Sequence, residues 1–316
     1  MTGNTDETLP VAERRLLNAI AAIEDWRGRE IRYEPVLGGI SNANWRVQVA
    51  GHPQSYFVKV PGEGTEMFID RHAANEAGRK AHAAGVGAQV FHFLPDSGVE
   101  VSAFVDGLRT ATNADFNDPL IRRNALIAIR QFNDEAPLTL VKTTFDMIDE
   151  HILQVLQLGG HFPADFEWIN ARYREARSAL EAPGLDLAPC MNDTLAGNFL
   201  IDPDRNILLV DFEYASTNDR CAELALWFAE QCFTPEVEAE MLQLYFGAVT
   251  PRLLGRIGLF KALLDLKWAT WAMVQNRVSA LDFDFFKYGT WKHLRARHAM
   301  QDPRWNIWLQ EAARGT

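Results

Sequence analysis

The apolar residues of this chain change their period at Gly107. Before that point short runs alternate in and out: Arg32 to Leu37, WRVQVA at 45–50, SYFVKV at 55–60, QVFHFL at 89–94 and VEVSAFVDG at 99–107. Alternation over five to nine residues predicts half-buried strands, and the Gly51-His52-Pro53 turn joins the second and third as an antiparallel hairpin. Two helical segments accompany them. Residues 10–26 place Val11, Leu16, Leu17, Ile20, Ile23 and Trp26 near one face behind Pro10, and the alanine-rich 71–85 ends on glycine. Beyond Gly107 the spacing turns helical, over 116–134, 144–158, 164–182, 221–232, 235–248, 251–280 and 284–298. One segment interrupts it, 187–216, where an Asp-Pro-Asp-Arg-Asn turn separates NFLI from ILLV as a second hairpin. This order predicts an α+β, bilobal chain: a small β-rich lobe over 1–104 and a larger, mainly helical lobe over 105–316.

The 316 residues suffice for two lobes with real cores, and 47% hydrophobic with 23% charged residues is ordinary globular usage. A net charge of −11, with no cationic cluster, disfavours nucleic acid or an anionic membrane as partner and is compatible with a cationic small substrate. Three cysteines, Cys190, Cys221 and Cys232, have no CxxC spacing, which disfavours a disulfide scaffold or a cysteine zinc site. The N-terminus lacks the pattern of a signal peptide and no apolar run approaches the ~20 residues of a membrane span, so the expected location is the cytoplasm.

The segment 191–213 carries the clearest chemistry. Asp193 and Asn198 stand five positions apart on a loop, and Asp211 ends the apolar strand ILLV. Phosphoryl transfer needs such a set: a carboxylate to orient and deprotonate a hydroxyl, and hard oxygen ligands for a magnesium ion on a polyphosphate. Spacing alone equally allows an Asn/Asp-rich turn. In the first lobe, LGGISNAN (37–44) has the small residues that let backbone N–H groups approach phosphates, or that simply make a turn. Trp268, Trp271 and Gln275 share one helical face, with Phe283, Phe285, Phe286 and Tyr288 following. Such a stripe serves as core or as a set of ring faces for an organic cation.

PCMNDTLAGNFL…LLVDFEYA resembles the catalytic and metal loops of the choline/ethanolamine kinase group, within the aminoglycoside-phosphotransferase superfamily of protein-kinase-like fold. The resemblance spans roughly 30–295. It implies Asp193 as catalytic base, with Asn198 and Asp211 as Mg²⁺ ligands. It implies a nucleotide-covering loop at Gly38, Gly39, Ser41 and Asn42, and a phosphate-binding Lys59 oriented by Glu76. The adenine is expected against 101–106. Trp268, Trp271, Phe283 and Tyr288 are similar to the family's choline-binding aromatics, and a further pocket aromatic falls near Trp227 or Ala229. Met191 stands where the family has histidine, and the expected consequence is a less firmly braced loop with the chemistry of Asp193 retained.

The resemblance thus implies an ATP- and Mg²⁺-dependent kinase that phosphorylates the hydroxyl of a small cationic alcohol, choline first and ethanolamine next. The alternatives are a phosphotransferase for another cation, such as an aminoglycoside or thiamine, and a nucleotide-binding pseudokinase. Oligomeric state is not encoded in any of these motifs.

Overall fold

The computed structural model describes residues 10–37, 42–62 and 64–315. Helix α1 (Val11–Ala22) lies on an antiparallel sheet of order β1-β2-β3-β5-β4, formed by β1 (Ile31–Val36), β2 (Asn42–Val49), β3 (Ser55–Pro61), β4 (Val90–Leu94) and β5 (Val99–Ala103). Alternation explains the layer. Val47 and Val49, Val58 and Val60, and Val99 and Val101 turn the same way, against Leu16, Ala19, Ile23 and Trp26. Each such aliphatic side chain contributes roughly 1.5–3 kcal/mol when fully buried. The expected hairpin is present, with Trp45 opposite Val58 and Val47 opposite Tyr56.

Helix α2 (Arg71–Ala83) starts where the Asp70 side chain accepts from the His72 and Ala73 amides, at 2.9 and 3.0 Å. Its Ala77 and Ala81 face the core of the second lobe rather than the sheet core. The lobes also meet where Leu209 N–H donates to Val86 C=O at 2.7 Å.

The second lobe holds helices α3 (Pro119–Asn133), α4 (Thr144–Gln157), α5 (Phe166–Glu181), α6 (Arg220–Gln231), α7 (Pro235–Phe246), α8 (Pro251–Val278), α9 (Phe285–Met300) and α10 (Trp305–Ala312). Local chemistry sets their starts. Asp118, Thr143, Asp219 and Thr250 each accept from a first-turn amide, and Pro119, Pro235 and Pro251 occupy the first helical position. Helix α8 is buried along most of its length and packs on α4, α6, α9 and α10. At Gly258 an added Cβ would lie 2.7 Å from the Trp308 ring, so the glycine is what admits α10.

The predicted second hairpin is β8 (Phe199–Ile201) with β9 (Ile207–Leu209), extended by β6 (Arg109–Thr110); a separate ladder pairs β7 (Leu187–Cys190) with β10 (Ser216–Asp219). Strands β6 and β10 and helix α10 are absent from the sequence reading. They are short elements that tertiary packing stabilises. Among the described residues no helix is long and apolar enough to cross a membrane.

Candidate active site

The loop from Met191 to Asn198 leaves β7 beneath the cleft between the lobes. Asn192 has φ +59°, in the left-handed region that asparagine tolerates. Every polar group of this residue is held. Its N–H donates to Glu223 Oε2 at 2.9 Å, and its C=O accepts from Lys267 Nζ at 2.9 Å. Its side-chain amide donates to Tyr214 C=O and Ser216 Oγ, and its Oδ1 accepts from Asn218. Met191 N–H donates to Glu223 Oε1 at 2.8 Å, while its side chain is fully buried in the core. Glu223 and Lys267, neither singled out in the sequence, brace the loop from α6 and α8. Burial pushes the Glu223 carboxyl up to about 7, and the two amides it accepts from pull the other way.

That brace fixes the backbone next to Asp193. Asn198 donates to Asp193 C=O at 2.7 Å and to its Oδ2 at 3.2 Å, whereas Asp193 Oδ1 is buried without a hydrogen-bond partner. Burial first, and the Asp211 carboxylate second, raise the Asp193 pKa; Lys267 opposes them. Asp211 follows β9 with φ +66° and accepts from Lys59 Nζ at 2.8 Å. The two acids and the amide thus converge, with Lys59 of β3 above them. Burial lowers the Lys59 pKa by itself, but the Asp211 and Glu213 carboxylates outweigh it and the ammonium stays charged.

Glu76 is not the partner of Lys59. Its carboxylate accepts from Thr139 N–H at 3.0 Å and pairs with Lys80 at 3.0 Å, against the 136–139 segment of the second lobe. The acids beside Lys59 are Asp211, Glu213 at 4.0 Å, and Glu100, which lies opposite on β5 and accepts from Asn75 at 2.8 Å. The helix contributes Arg71 and Asn75 in place of Glu76. Asn42 reaches across the cleft to Glu213 at 2.6 Å, and Arg71 bonds the same carboxylate oxygen. Gly38, Gly39 and Ser41 lie outside the described residues.

The predicted aromatics do come together. Trp268 and Trp271 stand edge to face at 5.3 Å, Trp271 and Tyr288 at 6.1 Å, and Phe283 and Tyr288 6.0 Å apart. Trp268 and Trp271 are buried and Phe283 sits at the rim, 42% exposed. Tyr214, three residues after Asp211, completes the set at 5.2 Å from Trp268; burial first, and the Asp193 carboxylate second, push its pKa up. Phe285 packs on Trp271 at 5.7 Å. Trp227 belongs elsewhere, fully buried against Phe116 and Phe199, so the further pocket aromatic is not there. Tyr214 was findable, since it follows Asp-Phe-Glu directly.

Asn198 and Asp211 suit a hard divalent cation. The Asn198 amide nitrogen is committed to Asp193, which leaves its oxygen as the free end, and Asp211 offers carboxylate oxygens. Among the described residues no cluster of three or more His, Cys, Asp or Glu side chains could form an all-protein metal cage. Two oxygen ligands plus water and phosphate is the usual arrangement for magnesium.

The family model described as choline/ethanolamine kinase matches residues 33–243. Human ethanolamine kinase 2 is 26% identical over 314 residues, covering 90% of this chain and 79% of that protein. The crystal structure of a choline/ethanolamine kinase family protein from Mesorhizobium loti superposes with TM-score 0.80 at 28% identity, covering 95% of this chain and 99% of that one. The structure of choline kinase LicA from Streptococcus pneumoniae gives TM-score 0.75 at 22% identity, over 91% and 98%.

Proposed function

The chain belongs to the choline/ethanolamine kinase family, phosphotransferases with an alcohol group as acceptor, and on that premise we propose that it transfers the γ-phosphoryl group of ATP to the hydroxyl of a small amino alcohol, choline or ethanolamine. Asp193 carries this reading. Its buried Oδ1 has no partner while its other oxygen is fixed by Asn198, and its carboxylate interacts electrostatically with both Asp211 and Tyr214. An acceptor hydroxyl in the cleft would donate to that free oxygen and pass it a proton as the new O–P bond forms.

Asn198 and Asp211 would hold Mg²⁺, which neutralises charge on the transferring phosphate when bound. Lys59, now on Asp211, is positioned to hold phosphate oxygens, and Asn42 ends the loop expected to cover them. Tyr214, Trp268, Trp271 and Tyr288 enclose the head group of the acceptor, and their burial excludes water from the transfer. Met191 would favour a catalytically silent nucleotide binder, but the loop it stands in is held by Glu223 and Lys267.

The test is ADP formation with Mg²⁺ and ATP over a panel of choline, ethanolamine, thiamine and an aminoglycoside. The proposal expects saturable, chelator-sensitive turnover with one or both of the first two. Turnover confined to the others, or to none, contradicts it.

A further inference from the structure

The head-group aromatics already hold a cation supplied by the chain. Lys267 precedes Trp268 on α8 and is 1% exposed. Its Nζ stands 3.8 Å from the Trp268 ring centroid and 5.5 Å from that of Tyr214, within cation–π range of both. The bond to Asn192 C=O fixes it there, one residue from Asp193. Burial lowers the Lys267 pKa; the carboxylates of Asp193, Glu223 and Glu230 oppose that, while Lys292 adds to it. With Trp271 and Tyr214 edge-on to Trp268, the lysine ammonium covers one Trp268 face.

We propose that Lys267 is a resident cation of the head-group site and a specificity-determining residue, barring quaternary ammonium alcohols and selecting an acceptor with a primary amine. The inference rests on the reading of this cleft as an amino-alcohol kinase site. A quaternary ammonium has no N–H and keeps its charge at every pH. Only ring faces and charge complementarity can hold it, and here one ring face is covered by an amine that is positive when protonated. A primary amine is smaller, can donate to the acidic oxygens lining the cleft, and can surrender a proton to lower the repulsion. Like charges roughly 6–12 Å apart at an effective dielectric near 20 correspond to discrimination on the order of 10- to 100-fold.

The experiment compares kcat/KM for ethanolamine and choline at saturating ATP in the wild type and in Lys267→Met. The wild type should favour ethanolamine by at least about tenfold. The variant should raise the choline-to-ethanolamine ratio by a similar factor. Lys267 also braces the catalytic loop, but damage there lowers both substrates alike and cancels in the ratio. If the variant does not fold, the N-methyl series in the wild type serves instead, with the sharp fall expected at the last methyl, where the charge becomes permanent. A wild type that prefers choline, a ratio unmoved by Lys267→Met, or an even decline along the series overturns the inference and leaves the kinase reading intact. Turnover of neither amine overturns both.

Discussion

Glu223→Gln is a near-isosteric change with a large expected effect. Both carboxylate oxygens accept from amides of the 191–198 loop, Met191 N–H at 2.8 Å and Asn192 N–H at 2.9 Å, on a side chain that is 1% exposed. Glutamine keeps one acceptor and turns an NH₂ toward the other amide, so a buried donor faces a donor. Losing a charge-assisted bond and leaving a buried N–H unpaired costs about 2–4 kcal/mol. The change also removes a negative charge that offsets Lys267. Urea unfolding should show a lower midpoint at unchanged slope. Kinetics should separate the site into halves. Because the amides of residues 191 and 192 position Asp193, kcat should fall about tenfold or more. KM for ATP should stay within about twofold, since Lys59 and Asp211 are held from elsewhere. Stability within about 0.5 kcal/mol of wild type, together with an unchanged kcat, would refute the brace.

Trp271→Leu removes a ring face while keeping part of the volume, and should raise the acceptor KM roughly 3- to 30-fold with KM for ATP unchanged; an equal rise in both would place the ring outside the acceptor site. His151 is 5% exposed, and burial, with the charges of Lys267 and Lys142, pushes its imidazole down to about 3 from 6.5. The unfolded chain protonates this histidine below its ordinary pKa and the folded chain does not, so stability falls as pH drops from 6.5 toward 3. Between pH 6.5 and pH 5 the wild type should lose about 1.6 kcal/mol more than His151→Gln, measured by urea titration at each pH. Parallel losses in the two proteins would assign the acid limb to other groups.

What was legible in the sequence was local. Alternating valines at 47, 49, 58 and 60 mark the sheet, and the helical spacing over 144–158 and 251–280 marks α4 and α8, because these signals act within a few residues. The loop pattern Asp193, Asn198, Asp211 was legible for the same reason. Pairings across long separations were not. Lys59 meets an acid 152 positions away, while the nearer Glu76 pairs with Lys80 and accepts from Thr139 N–H. No periodicity encodes which helix face a strand lysine meets. Lys267 reads as one polar residue in a tryptophan stripe, and its burial follows from the approach of Asn192 from another part of the chain. Short β6 and β10 carry too few residues to show a period.

The most direct test of the central claim follows the phosphorus itself. With ATP, Mg²⁺ and an amino alcohol, ³¹P NMR should show one phosphomonoester formed per ADP in the wild type. Asp193→Asn should slow that signal by about 10²- to 10⁴-fold while ATP still binds. A variant that produces the phosphomonoester at a rate near wild type would remove Asp193 from the chemistry and contradict the account.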